Sequence, residues 1–186
     1  MAQDYVRAAR ELDLHDLQQM AAKLMARVEI EGWPAGRAFE HLILRAFEIS
    51  GAEVAYPYVV RQGSAILEQI DGSVTTDRVS AIVESKDYRD GVDYTSITKL
   101  KSQLARRPAG VIGCVFSMNG FTKQAKVLTR FGQPLNVLLW DGSEIEQILA
   151  DSADAPQAPI LALHRKYRHA VEMAEPDYNI SRGYLE

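Results

Sequence analysis

Three charged residues near the middle of the chain have the types and spacing of a metal site: Asp71, Glu84 and Lys86. Glu84 and Lys86 are two residues apart, so their side chains lie on the same face of a strand. Asp71 directly follows a second strand-like run, residues 65–70. Burying two carboxylates and an ammonium group is costly unless they pair or hold a metal. The two carboxylates predict a site for a hard cation, with a lysine beside it.

This site requires that the two strands meet. Residues 72–77 are rich in turn-forming types and predict an antiparallel hairpin between residues 65–70 and 79–85. Such a hairpin would bring Asp71 next to Glu84. Two alternatives remain: Asp71 only ends a strand before Gly72, or Glu84 and Lys86 form an exposed cross-strand charge pair. Glu68 is a weaker candidate ligand, because it lies three residues from Asp71 and faces the other side of a regular strand.

Two longer helices are predicted before the strands. The first begins at Asp16, and the second has Pro34 in its first turn and ends at Gly51. On the second helix, Glu40 falls at the edge of the apolar stripe, whereas His41 faces away from it. Glu40 can therefore lie close to the strands that carry the other charged residues.

Helices and buried strands alternate after Lys86. Ser143 and Glu146 predict a capping box at one helix start, and Thr122 predicts an N-cap at another. The chain order, including a strand at 54–60, predicts an α/β fold with a mixed β-sheet flanked by helices. The elements after Lys86 are helix 96–107, strand 111–116, helix 122–131, strand 135–140, a helix from 143 and a final helix after a linker at 153–159.

Length and composition predict one domain. The chain has 186 residues, 47% hydrophobic and 25% charged, which is sufficient for a sizeable core. We expect residues 1–33 to form an N-terminal helical extension and residues 34–150 to form the core. Residues 151–186 then contain the linker, a C-terminal helix and a tail.

Charge and cysteine content restrict the function and the compartment. The net charge of −4 argues against a surface coated with positive charge, although basic residues concentrate between residues 86 and 130. No apolar run approaches the ~20 residues that span a bilayer, and the N-terminus does not resemble a signal peptide. Cys114 lies in an apolar run, which predicts that this cysteine is a core residue. We expect a cytoplasmic protein without an internal disulfide.

The order of these elements resembles the PD-(D/E)xK nuclease superfamily, and in particular its Mrr-like restriction endonuclease branch. The pattern is a helix bearing a glutamate, a strand ending in Asp, a strand with E-x-K, and then a helix and a strand. The resemblance covers roughly residues 36–149. The strings that carry it are GRAFE at 36–40, QIDG at 69–72, VESKDY at 83–88, SMNGFTKQA at 117–125 and LWDG at 139–142.

The resemblance implies a metal-dependent endonuclease that hydrolyses DNA phosphodiester bonds. Asp71, Glu84 and the backbone carbonyl of Ser85 would hold Mg²⁺ or Mn²⁺. Lys86 would orient the attacking water and stabilise its hydroxide form. Glu40 would reach the site directly or through a water.

Substrate contact is expected from the helix after the E-x-K strand. Lys99, Gln103 and Arg106 share one face of it and can approach DNA phosphates, although a solvated helix face is an alternative. Cutting both strands with one site per chain often requires a homodimer. The alternative function is a nucleic-acid-binding or protein-interaction module that does not cut. No phosphate-binding glycine loop or nucleophile elbow points to another enzyme class.

Overall fold

The computed structural model describes residues 2–182, which form a mixed β-sheet with helices on both faces. The helices are α1 (Ala2–Glu11), α2 (Leu14–Met25), α3 (Ala35–Ile49), α4 (Tyr94–Leu104), α5 (Lys123–Phe131), α6 (Gly142–Asp151) and α7 (Ala158–Met173), followed by a short 3-10 turn at Ile180–Arg182. The strands are β1 (Glu53–Ala55), β2 (Tyr58–Gln62), β3 (Ala65–Ile70), β4 (Gly72–Thr75), β5 (Ser80–Lys86), β6 (Ile112–Ser117) and β7 (Val137–Asp141). None of the described helices combines the length and the apolar character needed to cross a membrane.

The five-stranded sheet has the order β1-β4-β5-β6-β7. Strand β4 is antiparallel to β1 and β5, whereas β5, β6 and β7 are parallel and are connected through α4 and α5. Every residue of β6 is buried, as expected for a strand with helices on both faces. Alternate residues enter two cores: Cys114 packs with α2, α3 and α6, and Val115 packs with α4.

Strands β2 and β3 form a separate antiparallel ribbon. The ribbon turns at Gly63, where the backbone has a left-handed φ of 59°. Its register shifts between Val60 and Arg61. The last residue of β3 leads through Asp71 directly into β4.

The expected hairpin between residues 65–70 and 79–85 is wrong. Gly72–Thr75, which we expected to turn, is strand β4, and Gly72 lies opposite Val83 of β5. Strand β3 pairs with β2 instead. The tight turn lies further along, where the Thr76 N–H donates to the Val79 carbonyl at 2.9 Å. Gly72 and Val74 are buried and alternate with more exposed residues, so burial favours a strand although the residue types favour a turn.

Helix starts are partly as predicted. Thr122 caps α5 by accepting a hydrogen bond from the Ala125 N–H. Helix α2 begins earlier than expected, because Asp13 is the N-cap and Asp16 is the third helical residue of the capping box.

The start of α6 corrects the expected capping box. Asp141 is the N-cap and Glu144 completes the box, in place of Ser143 and Glu146. Both pairs have the same spacing in the sequence. Strand β7 ends at Asp141, so the earlier pair lies at the strand-to-helix junction.

His41 also differs from the expectation that it faces away from the core. It is buried, and its ring packs at 5.4 Å from that of Trp33 and at 5.7 Å from that of Tyr56. The N-terminal segment and the start of the strands therefore cover a second face of α3. The periodicity of α3 alone cannot reveal this cover, because it comes from elsewhere in the chain.

We predict that Gly72→Ala destabilises the protein by about 1–3 kcal/mol, the usual cost of overpacking a core. An added Cβ would lie 2.6 Å from the Leu44 Cδ2 atom and 3.0 Å from the Ala55 carbonyl oxygen. Urea unfolding followed by circular dichroism measures the change. Gly36→Ala is the matched control, since a Cβ at this helical position meets no atom within 4 Å. Equal stability of the Gly72→Ala and wild-type proteins would show that β4 does not pack as described.

Candidate active site

Asp71 is fixed against the end of β5. It lies at the bend between β3 and β4, and its Oδ2 atom accepts hydrogen bonds from the N–H and the hydroxyl of Ser85, at 2.6 and 2.8 Å. The two strands therefore bring Asp71 beside the E-x-K residues, although by a different pairing from the one expected. The bend replaces the predicted hairpin turn as the element that positions the carboxylate.

Glu84 is completely buried on the central strand β5. Its Oε1 atom lies 2.5 Å from the Lys86 ammonium and 3.0 Å from that of Lys99 on α4. Its Oε2 atom is buried and has no hydrogen-bond partner among the described residues. Because an unpaired buried carboxylate oxygen is costly, Oε2 fits the role of a ligand to a cation.

The Glu84 carboxylate influences Asp71. Burial raises the pKa of Asp71, and the nearby Glu84 carboxylate raises it further, while the Ser85 hydrogen bonds and Lys86 act in the opposite direction. A like charge at close range disfavours ionisation of Asp71, and a cation between the two carboxylates removes this penalty. The electrostatics thus fit a site for a divalent ion.

A backbone oxygen completes the set of possible ligands. The Met118 N–H donates to the Lys86 carbonyl from the β6 side, at 3.3 Å. Successive carbonyls along a strand point to opposite edges, so the Ser85 carbonyl points to the edge where Asp71 lies. No group of three His, Cys, Asp or Glu side chains within residues 2–182 forms a metal cluster. Two carboxylates and a carbonyl fit Mg²⁺, which usually takes one or two protein carboxylates and keeps several waters.

Glu40 reaches the same groove from α3. It is buried, and its Oε2 atom accepts a hydrogen bond from Arg37 at 2.7 Å. Burial raises the pKa of Glu40 to about 7, with a further increase from Asp71 and an opposing effect of Arg37. This carboxyl group therefore changes its charge near neutral pH.

The structure brings most of the predicted site residues into one open groove of about 460 Å³. Arg37 and Gln69 also line this groove and were not predicted. Arg37 had one sequence signal, its position three residues before Glu40 on the same helix. The predicted residues in the groove are Glu40, Asp71, Glu84, Ser85, Lys86 and Lys99.

Two residues expected to contact DNA lie elsewhere. Gln103 is buried, and its side-chain amide donates to the Gln69 carbonyl at 3.4 Å. The Arg106 guanidinium pairs with Glu68, which also accepts a hydrogen bond from Arg107 at 2.6 Å. Glu68 is thus engaged by two arginines and does not contribute to the groove.

The sequence matches the family described as restriction endonuclease, with the catalytic domain of the Mrr type, over residues 34–149. The chain therefore belongs to the Mrr-type restriction endonuclease family, a family of nucleases. This confirms the resemblance drawn from the E-x-K motif and the fold class expected from the order of elements.

Three solved structures are similar to this chain. A protein of unknown function, AF1548, has 14% identity and a TM-score of 0.47, with 63% of this chain and 77% of that chain covered. The MspJI restriction endonuclease in complex with a 27-mer oligonucleotide has 18% identity and a TM-score of 0.40, with coverages of 89% and 36%. The DNA modification-dependent restriction endonuclease AspBHI has 15% identity and a TM-score of 0.41, with coverages of 84% and 41%. No functionally curated protein matches the chain significantly.

We predict that Glu40→Gln stabilises the metal-free protein increasingly as the pH rises from about 5 to about 8. The pKa of Glu40 is raised from 4.5 to about 7, so the folded state must lose a proton that it holds more tightly than the unfolded state does. This penalty is absent at low pH and grows through that range to about 3 kcal/mol. Urea unfolding at a series of pH values, with chelator present, measures it.

The matched control is Glu146→Gln, on the exposed face of α6. The stability of the Glu146→Gln protein relative to the wild type should not change between about pH 5 and about pH 8. A pH-independent difference between the Glu40→Gln and wild-type proteins would contradict the electrostatic description of the groove.

Proposed function

We propose that this protein is a divalent-metal-dependent endonuclease that hydrolyses DNA phosphodiester bonds. The observation that carries the proposal is Glu84, which lines one groove with Asp71 and Lys86 and whose buried Oε2 atom has no hydrogen-bond partner among the described residues. Family membership supports a nuclease, and the groove supplies the residues that the reaction requires.

Asp71, Glu84 and the Ser85 carbonyl would hold Mg²⁺ or Mn²⁺. When bound, such an ion stabilises charge on the phosphoryl oxygens and lowers the pKa of a bound water. Ser85 orients Asp71 through two hydrogen bonds, which leaves the other oxygen of that carboxylate for a ligand role. Glu40 would act from the adjacent helix, directly or through a water, in its ionised form above about pH 7.

Lys86 would act as a fixed positive charge. Burial lowers its pKa, but the hydrogen bond and the charge of Glu84 outweigh burial, so its pKa is raised overall. The ammonium group therefore stays protonated at neutral pH. From this position Lys86 would orient the attacking water and stabilise the hydroxide and the negative charge that develops on the phosphate.

Two more exposed cations at the groove would position the substrate. The side chains of Lys99 and Arg37 are 53% and 42% exposed, although each is anchored at one point by a carboxylate. Because the duplex is anionic, these groups would bind phosphates on either side of the cleaved bond. Cleavage of both strands would use two copies of the chain, each supplying one groove.

We predict that Lys86→Ala lowers the rate of DNA cleavage by roughly 10²- to 10⁴-fold, the usual contribution of a positioned acid–base or charged group. The measurement is conversion of supercoiled plasmid to open-circular and linear forms with Mg²⁺ or Mn²⁺ at pH 8. EDTA should stop cleavage by the wild type. Unchanged far-UV circular dichroism would show that the variant remains folded.

Lys23→Ala is the control, since this lysine is exposed on α2, outside the groove. It should cleave at the wild-type rate. Equal cleavage by the Lys86→Ala and wild-type proteins would remove Lys86 from the mechanism. Metal-dependent DNA binding without any cleavage by the wild type would indicate a module that binds but does not cut.

A further inference from the structure

The β2–β3 ribbon projects from the body of the protein. Its two strands pair with each other and lie outside the five-stranded sheet. Near its tip, Ile66 and Leu67 are 55% and 57% exposed. Leu67 is the extra residue at the register shift, because Val60 lies opposite Glu68 and Arg61 lies opposite Ile66. The described residues therefore leave these apolar side chains near the tip uncovered.

The base of the ribbon is held firmly by α4 and the residues after it. Glu68 pairs with Arg106 and Arg107, and the Arg107 guanidinium lies 5.7 Å from the centre of the Tyr58 ring. Gln103 donates to the Gln69 carbonyl. A two-stranded ribbon is marginally stable alone, so these contacts give the exposed tip a fixed direction. Gln103 and Arg106 thus bind the base of the ribbon.

One face of β3 continues the surface of the active-site groove. Glu68 and Ile70 point toward α4, so the alternation of a strand directs Gln69 and Asp71 to the other face. Gln69 and Asp71 both line the groove. At about 3.3 Å per residue, Gln69 lies about 7 Å from Asp71 along the strand. This distance corresponds to about two base-pair steps of 3.4 Å.

The exposed side chains of Gln69 and Leu67 on β3 have the chemistry of base contacts. Gln69 is exposed, and no described residue accepts or donates a hydrogen bond to its side-chain amide. Glutamine amides pair with the adenine edge in the major groove, and aliphatic groups contact the thymine methyl. A two-stranded ribbon also fits the width of the major groove.

The charge of the ribbon also favours DNA. Glu68 is the one acidic residue between residues 58 and 70, and two arginines neutralise it. Arg61 adds a positive charge near the tip, and Lys99 adds another at the groove. A duplex leaving the groove along this face would meet no unpaired negative charge on the ribbon.

We propose that the β2–β3 ribbon reads bases in the major groove next to the cleaved phosphate. Gln69 hydrogen-bonds a base edge, and Leu67, nearer the tip, contacts a thymine methyl further from the cleaved phosphate. This inference rests on the proposed function, because it places duplex DNA in the groove that contains Asp71. It assigns sequence preference to residues that lie outside the metal site.

The test is selection of bound duplexes from a randomised pool in the presence of Ca²⁺, followed by sequencing. The wild type should select defined bases. Gln69→Ala and Leu67→Ala should each lose selection at a different position, with the Gln69 position nearer the cleaved phosphate. A bidentate glutamine contact contributes roughly 5- to 150-fold discrimination, so the loss at the Gln69 position should fall in that range. Binding to a random duplex should change by less than about threefold.

Val171→Ala is the matched control. Val171 is an exposed apolar residue on α7, 68% accessible, and it lies with Ile112 and Asn136 near the amino ends of β6 and β7. This variant should select the same bases as the wild type. Plasmid cleavage with Mg²⁺ is measured in parallel for the wild type and the three variants, because it tests the proposed function separately from base selection.

The outcomes distinguish the ribbon proposal from the proposed nuclease function. Selection of the same bases by both ribbon variants and the wild type, or no base selection by the wild type, overturns the ribbon proposal even if plasmid is cleaved. Base selection without cleavage supports the ribbon and contradicts the proposed function. No duplex binding contradicts both. A change in sedimentation coefficient in Leu67→Ala with unchanged base selection would identify the ribbon as a contact between protein chains instead.

Discussion

The burial of the Glu84 carboxylate is the constraint on which the rest of the site depends. Strand β5 is the middle strand of the sheet, and Glu84 is completely inaccessible on it. A carboxylate at such a position is costly unless charged partners compensate it. Lys86 from the same strand and Lys99 from α4 compensate one oxygen, and the other oxygen lacks a partner among the described residues. The fold therefore stabilises the Oε1 atom of this carboxylate and leaves the Oε2 atom suited to a cation.

Several parts of the fold place other groups next to Glu84. The bend between β3 and β4 places Asp71 beside Ser85 and Glu84. Gly72, the next residue, lets β4 pack closely against Leu44 and the Ala55 carbonyl, which leave no room for a Cβ. Helix α3 brings Glu40 to the same groove, where its pKa is raised to about 7 mainly by burial. The protein thus concentrates three carboxyl groups, whose mutual repulsion lowers its stability in the absence of a cation. This cost is typical of functional sites, where local stability is exchanged for activity.

Much of this arrangement could be predicted from the sequence, because it depends on short-range spacing. The interval between Glu84 and Lys86 determines that they share a strand face, and apolar runs identify β6 and β7 as buried strands. The partner of each strand depends on long-range packing, so the predicted hairpin was wrong even though Asp71 reached the site. Gln103 and Arg106 fit an exposed helix face by periodicity. The burial of Gln103 and the ion pair of Arg106 come from the β2–β3 ribbon, which the local pattern of α4 does not encode.

Mn²⁺ binding is the most direct test of the metal site that we propose at Asp71 and Glu84. Electron paramagnetic resonance at pH 8 counts the free ion as protein is added. The site described here predicts saturable binding by the wild type and a loss of that binding in Glu84→Gln, with the fold retained by circular dichroism. Lys23→Ala should bind as the wild type does. Equal binding by the Glu84→Gln and wild-type proteins, or no saturable binding by the wild type, would contradict the central claim.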